Sequence, residues 1–347
     1  MSGKKGAIVS DGRRFLRVLA GIIGGALGAL AAVFGSLVVR LVIGRALVAR
    51  EERRHGEAKL SPFGEVQHLS VLPLVDYLAA ESDLATEPGV SYLVKADDTL
   101  ILMDLGLNMR GEHPSPLIRN MQHLGVAPED IDMVFISYLG ADHTGGPNGR
   151  ELRFSRGPVH LRQVPVFVPG PAQPSTDNPD PYVEVVGEPR VLAPGIASTG
   201  PMKRPHFVGG TSAEQSLAIN VRDKGIVLIV GCGHQRVPRV LRRARDLFDE
   251  PIHAVIGGLH LPVGETAAEA GRRTEIHPSE PARQTADERD LDEAVQAIEA
   301  AHPALVAVSP HDSSELSLER FRRVFGDKYV EMKVGEEIVV QDGHRVR

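Results

Sequence analysis

Tryptophan is absent from this 347-residue chain, and aromatic residues make up only 4% of it. That scarcity weighs against an aromatic-lined carbohydrate groove or a base-stacking surface. A single cysteine, Cys232, excludes an intrachain disulfide and any multi-cysteine metal knuckle. Taken alone, Cys232 reads as a small buried apolar residue at a strand end. Basic residues do not cluster in the main body and the net charge is −6, so nucleic acid is not indicated as a partner. The partner expected is a small-molecule substrate. After a tail of about sixty residues, the chain is long enough for one large domain with an ample core.

Charge is also missing between Val18 and Val39, where VLAGIIGGALGALAAVFGSLVV runs for 22 residues. As a helix it would measure about 33 Å, enough to cross a bilayer. The pattern predicts a short basic tail over 1–17 and a transmembrane helix over 18–39. That helix continues towards residue 54 as an interfacial segment in which Arg40 and Arg45 snorkel. A cleaved signal is disfavoured because its apolar core is shorter. Five basic residues precede the span (Lys4, Lys5, Arg13, Arg14, Arg17) and six follow it (Arg40, Arg45, Arg50, Arg53, Arg54, Lys59), a slight lean to a cytoplasmic main domain. Gly21, Gly24, Gly25 and Gly28 contain two Gly-x-x-x-Gly spacings, compatible with a homodimer through the span. The expectation is a single-pass membrane protein.

Downstream, apolar β-branched runs end repeatedly in histidine. Ile131 to Ile136 leads into Ser137-Tyr138-Leu139-Gly140-Ala141-Asp142-His143-Thr144-Gly145-Gly146. Gly225 to Val230 leads into Gly231-Cys232-Gly233-His234, the run from His253 into Gly257-Gly258-Leu259-His260, and the run from Ala304 into Ser309-Pro310-His311-Asp312. Each run reads as a short buried strand, and Val90 to Leu105 reads as two more around the turn Ala96-Asp97-Asp98-Thr99. Polar groups gathered at the carboxyl ends of strands form sites on α/β scaffolds. Carboxylate and imidazole together suit a divalent metal.

These motifs, with Met103-Asp104-Leu105-Gly106, Leu124-Gly125-Val126 and Glu214-Gln215-Ser216-Leu217, give the chain its likeness. It resembles the metallo-β-lactamase fold superfamily, and within it the branch of dihydropterin–ribofuranosylaminobenzene-phosphate synthase-like proteins. The resemblance covers roughly residues 65 to 340, and we set the domain at 65–342. It implies an α/β (α+β) fold, a four-layer αββα sandwich, here preceded by one N-terminal transmembrane helix. The family's loop reads Ser-His-x-His-x-Asp-His, whereas this chain has Tyr138 and Gly140 in place of the two leading histidines. The resemblance implies a first metal on those two positions plus His234, and a second on Asp142, His143 and His260. A glycine offers no side-chain ligand and a neutral tyrosine is a poor one. The expectation is therefore one divalent ion, zinc first with iron or manganese as alternatives, on Asp142, His143 and His260. Three protein ligands and an open position match catalytic zinc sites.

His234 then stands beside the ion as a base or orienting group, making it both a metal and a catalytic candidate. Asp142, Tyr138 and His311 complete the catalytic candidates. Tyr138 could supply a hydroxyl near the substrate, and His311 matches a histidine of the family's Pro-Thr-His-Cys-Thr-Gly segment. Asp104 is expected to stabilise the site loops as a hydrogen-bond acceptor. The activity expected is metal-assisted hydrolysis of an ester, phosphoester or related bond. The alternative is a degenerate metal-binding or ligand-binding module of the same fold. Pro169 to Pro181 reads as a Pro-rich surface loop and Gly264 to Arg289 as a charged loop or candidate lid; His206 and His277 lie in such loops.

Overall fold

The computed structural model describes residues 25, 28, 32–39, 42–44, 46, 59–146, 149–205, 211–265, 286–340 and 345–346. The chain divides into two compact units, one of residues 1–51 and 204–211, the other of residues 52–203 and 212–347. In the first unit, residues 32–39 and 42–44 are helical.

The expectation of a membrane span over 18–39 is corrected here. Among the described residues, no helix is long and apolar enough to cross a membrane. Apart from Gly25, Gly28 and residues 32–39, the segment 18–39 lies outside the described residues. The single-pass localisation is accordingly not supported, nor are the membrane partner and the homodimer through Gly21, Gly24, Gly25 and Gly28. Most of the candidate lid, with His277 and also His206, likewise falls outside the described residues.

Two sheets build the larger unit. The first runs in the order Arg345–Val346, Ile338–Val339, Leu69–Val75, Ser91–Ala96, Thr99–Met103, Met133–Phe135, Pro165–Val168, Tyr182–Val185. The second runs Tyr329–Glu331, Leu305–Val308, Ile252–Gly257, Gly225–Val230, Leu217–Val221, Ile196–Ser198, Arg190–Ala193. The turn at residues 97–98 joins an antiparallel pair in which Tyr92 lies opposite Met103 and Ala96 opposite Thr99. The three strands leading to His234, His260 and His311 are parallel neighbours, so their ends emerge on one side.

The pleat sorts side chains into layers because successive residues face opposite ways. Ile101 and Met103 pack between the sheets with Val227 and Ile229. Leu102 faces the other way, towards helix Pro116–His123. Ile226, Leu228 and Val230 face helices Val237–Leu247, Glu288–Glu299 and Glu315–Phe325. The result is helix, sheet, sheet, helix, as the resemblance implied. Caps set the helix starts: Ser115 accepts from Ile118 N, Ser314 from Ser317 N, and Asp287 with Asp290 forms a reciprocal capping box.

Candidate metal centre

Four strand ends deliver the site. Beyond Phe135, the chain passes Ser137 and Tyr138 and enters a single helical turn, Ala141–Thr144, which carries Asp142 and His143. Both side chains are fully buried. Asp104 follows the strand Thr99–Met103 with φ 61° and turns back under this loop. Its Oδ1 accepts from Ser137 N at 2.7 Å, and its Oδ2 accepts from Ser137 Oγ at 2.6 Å. The same Oδ2 lies 2.8 Å from His143 Nδ1. The carboxylate favours a proton on Nδ1 and orients the ring so that Nε2 is the nitrogen left for a metal. That Nε2 is buried and sits 3.3 Å from Asp142 Oδ2. Burial opposes charge on this imidazole, but the carboxylates of Asp142 and Asp104 outweigh it and raise its pKa well above the ordinary histidine value. The negative charge that favours a proton here also favours a divalent cation in competition with it.

His311 enters from the strand Leu305–Val308. Its Nδ1 lies 2.7 Å from Ser309 Oγ, which donates to Asp76 Oδ2 at 2.6 Å. Burial pushes the Asp76 carboxyl up to about 8, against the pull of its hydrogen bonds from Ser309 and Tyr77. The glycine at 258 makes room for this arrangement: a Cβ there would stand 2.5 Å from His311 Cε1 and 2.2 Å from Gly231 O. Donor atoms of Asp142, His143, His311 and Cys232 all lie within 4.8 Å of one another.

A second group joins Cys232 to His234 and His260. The Cys232 sulfur is 3.6 Å from His234 Nε2 and 3.9 Å from His260 Nδ1, and the two rings are 4.2 Å apart. Glu214 supports this turn, its Oε1 accepting from Gly233 N at 2.5 Å and from Cys232 N at 3.3 Å. Its Oε2 lies 3.8 Å from His234 Nδ1. Burial raises the Glu214 carboxyl above its ordinary value, opposed by the backbone donor of Gly233 and the nearby histidines.

Most of the residues singled out from sequence gather in two adjoining groups that share Cys232. His311, not His260, completes the group around Asp142 and His143. The cause is local. His260 has φ 51° and its backbone N donates to Asp312 Oδ2 at 2.9 Å, and its ring lies beside that of His234. Tyr138 is 6% exposed, with its ring 5.7 Å from that of His143 and 4.8 Å from that of His234. Gly140 has φ −95°, and a Cβ on it would meet Tyr138 Cε1 at 2.6 Å and Asp142 Oδ1 at 2.7 Å. The aromatic ring stands where a side chain at position 140 would have to go.

Sequence reasoning passed over Asp76, Ser309, Asp312 and Glu214, and read Cys232 as apolar filling. A signal existed for three of them. Asp76 ends the apolar run Leu69–Val75 as the histidines end theirs, and Ser309 and Asp312 flank His311. Glu214 stood in a quoted motif without an assigned role.

No protein-family model matches the chain. It is 25% identical over 241 residues to the 7,8-dihydropterin-6-methyl-4-(β-D-ribofuranosyl)-aminobenzene-5′-phosphate synthase of Methanocaldococcus jannaschii, across 58% of this chain and 81% of that protein. The structure is similar to that of a metal-dependent hydrolase of the β-lactamase superfamily, with 20% identity, a TM-score of 0.55 and coverage of 79% of this chain and 100% of that one. A metallo-β-lactamase fold protein from Bacillus subtilis aligns at 14% identity and a TM-score of 0.45, over 78% of this chain and 98% of that one. The chain has the metallo-β-lactamase fold, and its curated relative falls in the branch that the motifs suggested.

Proposed function

We propose that the protein is a metal-dependent hydrolase of an ester, phosphoester or related bond, with one divalent ion on Asp142, His143 and His311. The observation that carries this reading is the buried gathering of donor atoms from Asp142, His143 and His311 within 4.8 Å of one another, with the His143 ring held through Nδ1 by Asp104. A carboxylate-fixed imidazole beside a second carboxylate and a second imidazole is a donor set that suits zinc or iron. The chemistry such an ion supplies is Lewis acidity, which polarises a substrate oxygen and acidifies water.

The chain's own groups do the rest. Asp104 and Ser309 hold the imidazoles of His143 and His311 in one orientation. His234, with Glu214 on its Nδ1 side, is the imidazole placed to take a proton from attacking water. Tyr138, buried between the rings of His143 and His234, fills the flank between them. The fold shared with a metal-dependent hydrolase is compatible with this reading; the synthase name of the sequence relative speaks for transfer chemistry, which the altered loop gives no ground to extend here.

The test is purification with metal supplied, elemental analysis, and assay on generic phosphodiester and lactone substrates. We expect about one equivalent of zinc or iron and hydrolysis that Asp142→Ala abolishes together with the metal. Tyr138 and Gly140 in place of two histidines favour a second reading, a binding module without catalysis. Metal bound in an Asp142-dependent way with no turnover on either substrate class would select it. Absence of bound metal would overturn the hydrolase reading and select a metal-free ligand-binding module.

A further inference from the structure

We propose that Cys232 is a fourth ligand of the same ion, bound as thiolate. The proposal rests on the metal reading above and deepens it. Cys232 is fully buried at the end of the strand Gly225–Val230, and its sulfur belongs to both donor groups. Its distance from the donors of Asp142, His143 and His311 is at most 4.8 Å. Metal–ligand bonds of about 2.0–2.3 Å in a tetrahedron place donors about 3.3–3.7 Å apart, so a closure of about 1 Å completes the set. An independent pointer to a ligand is His143 Nε2, fully buried, with its ring held by Asp104 at Nδ1 and a carboxylate oxygen of Asp142 3.3 Å away.

The sulfur is also held for the task. Glu214 Oε1 takes the backbone N–H groups of both Cys232 and Gly233, which fixes the turn that presents the side chain. His234 Nε2 at 3.6 Å is the base within reach of the thiol. On binding, the S–H bond breaks, a sulfur–metal bond forms, and the proton passes to His234 and on to solvent. His234 and His260 then serve as the proton acceptor and its neighbour rather than as ligands. Two consequences follow. A soft sulfur donor biases the site towards zinc or iron and away from manganese or magnesium. With four protein donors, a substrate oxygen is accommodated by expansion to five-coordination.

The test is cobalt(II) loading of the full chain, followed by optical spectroscopy. Because the chain has one cysteine, a thiolate-to-cobalt charge-transfer band in the near ultraviolet has only one source. We expect about one cobalt per chain, the near-ultraviolet band in the parent, and its loss in Cys232→Ser with the weak visible cobalt bands retained. X-ray absorption of the zinc-loaded parent should show one sulfur at about 2.3 Å. The parent measurements decide the matter even if Cys232→Ser does not fold. Cobalt bound in an Asp142-dependent way without the charge-transfer band would overturn the role of Cys232 and leave the metal reading standing. Failure of the parent to bind cobalt in an Asp142-dependent way would overturn both.

Discussion

Gly140→Ala isolates the physical basis of the altered loop. The backbone at 140 is extended, φ −95° and ψ 156°, a conformation that alanine adopts without strain. The cost must come from contacts. The added Cβ would stand 2.6 and 2.7 Å from Tyr138 Cε1 and Cδ1 and 2.7 Å from Asp142 Oδ1. Carbon atoms pack best at about 3.5–4.0 Å, so the overlap with the ring is about 1 Å. Relief requires the ring to swing into His234 or the loop to shift, and overpacking of this kind costs about 1–3 kcal/mol. The sharper measurement is a double-mutant cycle with Tyr138→Ala, read by urea unfolding at fixed metal loading. With the ring gone, two of the three nearest contacts disappear and that with Asp142 Oδ1 stays, so Gly140→Ala should become cheaper by about 1–2 kcal/mol. A cost unchanged by Tyr138→Ala would refute the coupling. By the same logic Gly140→His alone should be destabilised, whereas Tyr138→His with Gly140→His should fold and raise metal content towards about two equivalents.

Other expectations follow from the supporting shell. Asp104→Asn removes the carboxylate that fixes His143 Nδ1 and should weaken zinc binding about 10- to 100-fold by competition with a chelating dye. Gly258→Ala places a Cβ 2.5 Å from His311 Cε1; metal affinity should fall while far-ultraviolet circular dichroism keeps its shape. Asp76 has its carboxyl raised from 3.8 to about 8, so the folded chain holds a proton that the unfolded chain releases. Stability from this group is full below pH 3.8, declines as pH rises and is gone above about 8. Asp76→Asn, which keeps a neutral side chain throughout, should flatten urea-unfolding stability across that window. Unchanged slopes in parent and variant would show that Asp76 is not the group responsible.

Much of the architecture is legible in the residues because buried strands announce themselves. Gly225–Val230 and Leu305–Val308 are continuous apolar runs covered on both faces, and the polar turn at residues 97–98 marks a hairpin. The histidines beyond those runs share one side because their strands are parallel neighbours. The division of ligands is not legible, since it depends on the left-handed backbone at His260 and on an Asp312 hydrogen bond from 52 residues away. Neither leaves a periodic trace. Cys232 is the small buried residue that its neighbours suggest, and only folding sets its sulfur 3.6 and 3.9 Å from two imidazoles. The loss of two histidines was plain in the sequence, but the dependence of Gly140 on the Tyr138 ring was not. Residues 18–39 show the opposite error, where apolar composition suggested a span that no described helix provides.

Zinc retention in His311→Ala and His260→Ala tests the central claim most directly. Both variants, loaded with zinc and passed through gel filtration, are compared with the parent by elemental analysis. The geometry around Asp142 and His143 predicts that His311→Ala loses its zinc while His260→Ala keeps about one equivalent. Zinc lost from His260→Ala and retained by His311→Ala would contradict it.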